Sequence, residues 1–269
     1  MKRYAVIKKH AGQTPLQALE VFRQTRLEYA NVPLTYAGRL DPMAEGKLII
    51  LIGDECKKRK RYDGLDKEYE FEVLLGFKTD TGDVLGLAEP CGGVNVFSEK
   101  ELKAAAKFFL GEHVLPYTVF SSKTVGGKPL FHYAIENNLD EIEIPTAAVR
   151  IYKMKFCSMR EVSSRELIKN ILAKIDLLQA GPPDSRTGSG FRKDEICTRW
   201  KSCKIEDSGQ YTIATFKTTV SSGTYIRTLA PLIAEKLGTC GLAYSIRRAK
   251  IGRFVPVTKR FGFWMKIFV

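Results

Sequence analysis

The 269-residue chain reads as an α+β protein. Three observations carry that reading. Glu68-Tyr69-Glu70-Phe71-Glu72-Val73 alternates polar and apolar without a break, the period of a half-buried strand. Thr14-Pro15 looks like an N-cap and first helical residue, and Ser98 with Glu101 has capping-box spacing. The predicted strands do not alternate strictly with helices, so a mixed layering is expected and not a doubly wound one.

The elements follow in order. Tyr4 through Ile7 reads as a short strand, and Thr14 starts a helix with Leu16, Leu19, Phe22 and Leu27 on its apolar face. Pro33 through Pro42 reads as a loop, and a helix is expected to begin near Met43. The alternating strand over residues 68–73 puts three Glu on one face and Tyr69, Phe71 and Val73 on the other. The Ser98 helix should close at Gly111. Ile142, Ile144, Val149 and Ile151 suggest a strand pair broken by Pro145. A strand over 211–220 leads through Ser221-Ser222-Gly223 to a helix over about 228–237 that stops at Gly238. Residues 163–204 look inserted between two strands that a short hairpin loop could join. This insertion opens as a helical pattern, passes through Gly181-Pro182-Pro183 and the Gly/Ser/Arg stretch from Arg186 to Gly190, and carries nine basic against five acidic residues.

Composition narrows the function. Lys and Arg number 43 against 30 Asp and Glu, a net charge of +13, which points to a polyanionic partner. Lys57-Lys58-Arg59-Lys60-Arg61 is an unbroken basic run, and Arg247-Arg248 is a second cluster. Such residues supply phosphate affinity without reading sequence. No apolar run approaches the ~20 residues of a membrane span, and the N-terminal apolar run is too short for a signal peptide, so a cytoplasmic protein is expected. The six Cys form no C-x-x-C pair and the three His lie far apart, so scattered reduced thiols and no metal site are expected.

Three residues stand out chemically. Asp41, in Gly38-Arg39-Leu40-Asp41-Pro42, is either a helix N-cap or a carboxylate nucleophile presented by a rigid turn. A buried nucleophile of that kind needs a cation beside it. Arg227 is either a solvated helix-start residue or a guanidinium that grips a carboxylate through two hydrogen bonds. Tyr69 is either core or a ring that stacks on an extruded base.

The motifs together resemble the TruB family of tRNA pseudouridine synthases. Gly38-x-Leu40-Asp41-Pro42-x-Ala44-x-Gly46 is similar to the family's catalytic loop, and Lys67-x-Tyr69 to its K-x-Y strand. Leu75-Gly76-x-x-Thr79-Asp80-Thr81-x-Asp83-x-x-Gly86 and Gly223-Thr224-Tyr225-Ile226-Arg227-Thr228-Leu229 match two further motifs. Leu237-Gly238 and Arg247-Arg248-x-x-x-Gly252-x-Phe254 resemble the closing segment. The resemblance runs in family order from about Lys9 to Phe254.

The resemblance implies a mixed, mostly antiparallel sheet flanked by helices, with one catalytic domain over residues 1–260 and a short tail over 261–269. It implies isomerisation of a T-loop uridine in tRNA (position 55) to pseudouridine on a flipped-out nucleotide, without metal or cofactor. Asp41 would be the nucleophile, Arg227 its partner, and Tyr69 the base-stacking ring. Lys9, Tyr36, Arg39, Lys57, Lys58, Arg59, Lys60, Arg61, Lys67, Arg247 and Arg248 are the candidate RNA contacts. The expected partner is the T-arm of tRNA; no protein partner is implied, and a monomer is expected. A tRNA-folding chaperone without catalysis, or a synthase acting on another RNA, are the competing readings.

The chain departs from the family pattern in four places. Tyr36 stands where His is common, and His10 replaces the usual Pro after Lys9. The 163–204 insertion has no counterpart in the usual short connection; it is expected either to be a solvated loop or to supply phosphate contacts. The sequence stops at Val269, about where relatives begin a PUA domain, so that domain is expected to be absent.

Overall fold

A computed structural model describes residues 2–91, 96–178, 192–203, 209–258 and 261–268. The chain opens with β1 (Tyr4–Lys9), α1 (Pro15–Gln24), β2 (Leu34–Ala37), β3 (Ala44–Ile52) and the short α2 (Arg59–Asp63). β4 (Asp66–Leu75), a hairpin of β5 (Phe77–Thr79) and β6 (Ala88–Pro90), α3 (Glu99–Phe108) and β7 (Gly111–Pro116) follow. A small hairpin, β8 (Thr124–Val125) with β9 (Lys128–Pro129), leads into α4 (Leu130–Ile135). The rest is β10 (Thr146–Ser163), α5 (Ser164–Asp176), α6 (Lys193–Ser202), β11 (Gln210–Val220), α7 (Ile226–Lys236), β12 (Gly241–Pro256) and β13 (Gly262–Ile267).

One sheet organises these elements. Its strands run β1-β3-β12-β4-β11-β10-β7, with β2 added to β3 and β13 to β12. Among the described residues, the β3–β12 pair of this sheet is parallel and its other strand pairs are antiparallel. The α+β expectation and the mixed, mostly antiparallel sheet both hold.

Strand pleat explains the two main cores. In β4, Tyr69, Phe71, Val73 and Leu75 face a cluster completed by Leu102 and Ala105 of α3 and by Leu229 and Ile233 of α7. Leu74 points the other way, as do Ile213 of β11 and Leu242 of β12. That second face is covered at this end by Leu167, Ile171 and Ile175 of α5 and Ile196 and Trp200 of α6. Farther along it, the three Glu predicted on one face each meet a base from another strand of the sheet. Glu72 pairs with Arg160, Glu70 with Arg247 at 2.7 Å, and Glu68 with Lys217 and Lys250 at 3.2 Å each.

The local signals at α1 and α3 are borne out. Thr14 caps α1 in a reciprocal capping box with Gln17, and Ser98 does the same for α3 with Glu101. The α3 helix stops at Phe108, before Gly111, which instead opens β7 with φ of 113°.

Several expectations are corrected. No helix starts at Met43: residues 44–52 form β3, and Leu48 through Leu51 are fully buried between neighbouring strands. A strand buried on both faces reads as a continuous apolar run, without alternation. Residues 34–37, read as loop, form β2 on the same strand. The strand pair around Pro145 is a single long strand that begins after the proline, whose carbonyl accepts from the Tyr117 amide at 3.0 Å. Pro145 has no N–H to give a ladder, which sets that start. The tail is β13, paired along β12. Cys91 and Cys240 form a disulfide, with Cα atoms 6.2 Å apart, so these two are not reduced thiols. Gly76 brings them together, accepting from the Cys91 amide and donating to the Cys240 carbonyl, each at 2.9 Å. The Arg186–Gly190 stretch of the insertion lies outside the described residues.

Phe216 sits at the centre of the larger cluster, fully buried, with ring centroids of Phe71 and Phe156 at 5.7 and 5.8 Å. Phe216→Ala is expected to lower unfolding free energy by about 3–5 kcal/mol in a denaturant titration.

Candidate active site

The loop between β2 and β3 carries Asp41, and the structure holds it from beneath with buried basic side chains. Arg248, only 1% exposed, donates from Nη2 to the Gly38 carbonyl at 2.8 Å and from Nη1 to the Arg39 carbonyl at 3.1 Å. Its Nε reaches the Lys47 carbonyl at 2.7 Å. Lys9, fully buried, donates from Nζ to the carbonyls of Gln13 (2.6 Å), His10 (2.9 Å) and Pro42 (3.1 Å). The Gly12 amide also reaches the Pro42 carbonyl, at 2.9 Å. Leu40 packs into the cluster on one face of the sheet and Met43 into the cluster on the other. Asp41 is therefore fixed on both sides, and its carbonyl accepts from the Ala44 amide at 3.0 Å. No helix follows, so the N-cap reading of Asp41 falls.

Arg227 reaches this loop from the first turn of α7, after the Gly223 turn with φ of 87°. Its Nε donates to Asp41 Oδ2 at 2.8 Å. The expected two-bond grip is absent; Asp41 receives one guanidinium hydrogen bond. The others go to the Thr81 carbonyl (Nη1, 2.9 Å), Thr118 Oγ1 (Nη1, 3.2 Å) and the Phe120 carbonyl (Nη2, 2.9 Å). Asp83 adds a second carboxylate, with Oδ2 3.7 Å from Nε. The Arg227 side chain is 4% exposed and that of Asp41 35% exposed. The guanidinium thus forms a buried floor behind a carboxylate that faces outward.

The electrostatics follow from that burial. Desolvation alone pulls Arg227 down, but Asp41 and Asp83 beside it more than reverse this, so it stays charged. Asp83 is pushed above the usual carboxylate range by burial, and further by the Asp41 charge, against the pull of Arg227. Tyr225 is pushed up to about 12, mainly by burial and then by the Asp41 charge. Tyr69 lies in β4, 8% exposed, in the cluster that also takes in Leu40, Ala44 and Ile226. The structure therefore brings Asp41, Tyr69 and Arg227 together around one cluster.

The candidate RNA contacts divide sharply. Lys9, Lys67 and Arg248 are buried. Lys67 donates to the Asp63 carbonyl at 2.7 Å. These three hold backbone and have no exposed charge to offer a phosphate, which corrects their assignment as RNA contacts. Arg39, Lys57, Lys58, Lys60, Arg61 and Arg247 are exposed. Arg59 lies over the Tyr36 ring at 5.3 Å and pairs with Asp63 at 3.3 Å. Asp63 in turn accepts from the Gly38 amide at 2.7 Å, so the basic run adjoins the Asp41 loop.

Sequence reasoning missed Thr118 and Phe120, which hold Arg227, and left Asp83 and Tyr225 without roles. Asp83 and Tyr225 lie inside motifs that carry the family resemblance. Phe120 contributes a carbonyl, which every residue has, so no side-chain signal could have marked it.

Lys9 offers a test of this frame. Burial lowers its pKa to about 7, against the pull of Asp41. In the unfolded chain a lysine stays protonated to about 10.4. Between those values the unfolded chain binds the extra proton, so Lys9 makes stability rise with pH from about 7 to 10, by at most about 1.4 kcal/mol per unit. Denaturant titrations across that window are expected to show a shallower rise for Lys9→Met than for the native chain.

Comparison with known proteins places this geometry. The family model described as TruB family pseudouridylate synthase (N terminal domain) matches residues 29–171. The tRNA pseudouridine synthase B of Caldicellulosiruptor saccharolyticus is 29% identical over 255 residues, covering 94% of this chain and 69% of the relative. That of Caldanaerobacter subterraneus subsp. tengcongensis is 32% identical over 147 residues, covering 55% and 50%. That of Burkholderia mallei is 27% identical over 217 residues, covering 81% and 54%. The chain thus spans about half the length of the second and third of these relatives. In fold, it is similar to a chain of a Cbf5-Nop10-Gar1 complex, with a TM-score of 0.54 and 15% identity over 93% of this chain and 48% of that one. The match over residues 29–171 takes in more than half of the sequence, including Asp41, Tyr69 and Asp83, and the chain belongs to the TruB family of pseudouridylate synthases.

Proposed function

We propose that this protein isomerises a uridine in the T-loop of tRNA, at position 55, to pseudouridine, with Asp41 as nucleophile. The observation that carries the reading is the asymmetric ion pair. Asp41 is part-exposed while Arg227 behind it is buried and held by three neutral oxygens and a second carboxylate. A carboxylate so placed is oriented, yet Oδ1 takes no guanidinium hydrogen bond and is left to react.

The chemistry conserves every atom. The N1–C1′ bond breaks, the uracil turns, C5 bonds to C1′, the C5 proton leaves and N1 gains one. Asp41 attacks C1′ or an electron-poor ring carbon and leaves again when the C5 bond forms. The product has the composition and oxidation level of the substrate, so neither metal nor cofactor is required. Tyr69 offers its ring to the flipped base. Excluding water protects the detached uracil from loss.

RNA binding in this reading falls to exposed bases around the loop: Arg39 on the loop itself, Lys57, Lys58, Lys60 and Arg61 beside it, and Arg247 on β12. Tyr36, next to Arg59, is a ring at the same rim. One chain supplies Asp41, Tyr69 and Arg227, so a monomer acting on the T-arm of cytoplasmic tRNA suffices.

Asp41→Asn keeps shape and removes the attacking charge. With a uridine-containing T-arm RNA it is expected to give no pseudouridine while RNA binding is largely kept; product near the native rate would refute Asp41 as nucleophile. Arg227→Lys cannot reach three oxygens and a carboxylate from one ammonium. Its turnover is expected to fall about 100-fold, the scale of a small misplacement at the reacting centre, with much less change in RNA affinity.

A charge test addresses binding separately. Replacing Lys60 and Arg61 together by Gln is expected to weaken RNA binding and flatten the plot of log K against log salt by about 0.9 for each duplex phosphate that is no longer neutralised. Unchanged slopes would move the RNA path away from α2.

A further inference from the structure

The described parts of the insertion, α5 and α6, pack as core, and two side chains from 192–203 grip the loop that holds Arg227. Trp200 of α6 is fully buried and donates from Nε1 to the Val84 carbonyl at 3.0 Å. Arg192, just before α6, donates from Nη2 to Asp80 Oδ2 at 2.7 Å, and its guanidinium lies over the Phe120 ring at 4.9 Å. Both of these neighbours adjoin the Arg227 frame. Asp80 precedes Thr81, whose carbonyl accepts from Arg227 Nη1, and Phe120 supplies the carbonyl that accepts from Nη2. The loop between β5 and β6 is tied internally through the same carboxylates. Asp80 Oδ1 accepts from the Leu87 amide at 2.8 Å, and Asp83 Oδ1 from the Leu85 amide at 3.0 Å and Thr81 Oγ1 at 2.8 Å.

We propose that the insertion is a positioning element for the Asp41–Arg227 pair. Arg192 and Trp200 clamp residues 80–84, and Arg192 also braces Phe120, so that the Thr81 and Phe120 carbonyls and the Asp83 carboxylate hold the guanidinium in register with Asp41. The route has a second arm. Gly12, whose amide meets the Pro42 carbonyl, lies so close to the end of α5 that a Cβ there would sit 2.0 Å from the Leu177 carbonyl. The insertion therefore abuts both sides of the catalytic pair: the loop under Asp41 and the loop around Arg227. Arg192 and Trp200 face inward, so these two residues do not supply phosphate contacts.

The inference rests on the proposed reaction for its kinetic test, and a second measurement frees it from that reading. Arg192→Met in the full chain is expected to lower kcat on a T-arm RNA about 10- to 100-fold, with KM, RNA affinity and melting temperature near native values. Trp200→Phe keeps a ring in the core but loses the N–H to Val84, and is expected to act in the same direction. Arg192→Lys should recover part of the loss. Independently of RNA, hydrogen exchange of the Leu85 and Leu87 amides is expected to quicken about tenfold or more in Arg192→Met, as their carboxylate acceptors lose restraint. Native kcat with native exchange in both Arg192→Met and Trp200→Phe overturns the proposal, as does lost RNA affinity at unchanged kcat and exchange. If Arg192→Met fails to fold, Trp200→Phe decides on the same two readouts. If the native chain makes no pseudouridine, the proposed reaction falls, and the exchange measurement still decides the positioning role.

Discussion

A buried guanidinium is the constraint around which the rest of this structure is arranged. Taking Arg227 out of water is costly unless its charge is matched and its N–H groups are satisfied. The matching groups come from three separated stretches: Asp41 on the β2–β3 loop, Thr81 and Asp83 between β5 and β6, and Thr118 and Phe120 after β7. None of these is a neighbour of another until the sheet is assembled. The site is therefore a consequence of the complete fold and not of any local motif. Close approach is part of that condition. A Cβ on Gly82 would lie 2.4 Å from the Arg227 carbonyl, and φ at Gly82 is 74°, so glycine is required there.

The same logic accounts for the buried basic side chains under the Asp41 loop. A six-residue connection from Ala37 to Ala44 has no helix or ladder of its own to fix Asp41. Arg248 and Lys9 fix it by donating to its carbonyls, and they can do so only because they are buried and their donors have no competing water. Part of the chain's positive charge is thus structural. The +13 balance is consistent with a polyanionic partner, but Lys9, Lys67, Arg227 and Arg248 all point inward. What remains exposed is the basic set around the loop, with Arg59 and Asp63 linking it to Tyr36 and Gly38.

What the amino-acid order reveals, and what it hides, follows from these contacts. The strand at Tyr69, Phe71 and Val73 is legible because its two faces differ, one apolar and one lined by Glu. The strand at Leu48 through Ile52 is not, because burial on both faces erases the period that separates strand from helix. Caps at Thr14 and Ser98 are legible because capping is local. Lys9 and Arg248 read as RNA contacts because residue type reports charge and not burial. Asp41 and Arg227 each have a bland reading of equal standing when taken alone; only their shared motif pattern joins residues 186 positions apart. The Cys91–Cys240 pair, separated by 149 positions, has no such pattern to reveal it.

The insertion shows why sequence position is a poor guide to influence on a site. It joins β10 to β11, strands whose ends lie away from Asp41 in the chain, and its basic excess suggests a solvated or RNA-facing segment. Yet Leu74, Ile213 and Leu242 leave an apolar patch on the face of the sheet opposite α3 and α7, and α5 with α6 covers it. Met43 joins this same cluster two residues after Asp41, and Val84 joins it one residue after Asp83. Deleting the segment would therefore expose core directly beneath both halves of the Asp41–Arg227 pair. Loss of activity after such a deletion would report lost packing as much as lost positioning. The role of the insertion has to be read through single polar contacts, Arg192 with Asp80 and Trp200 with Val84, where one hydrogen bond can be removed while the apolar cover stays in place.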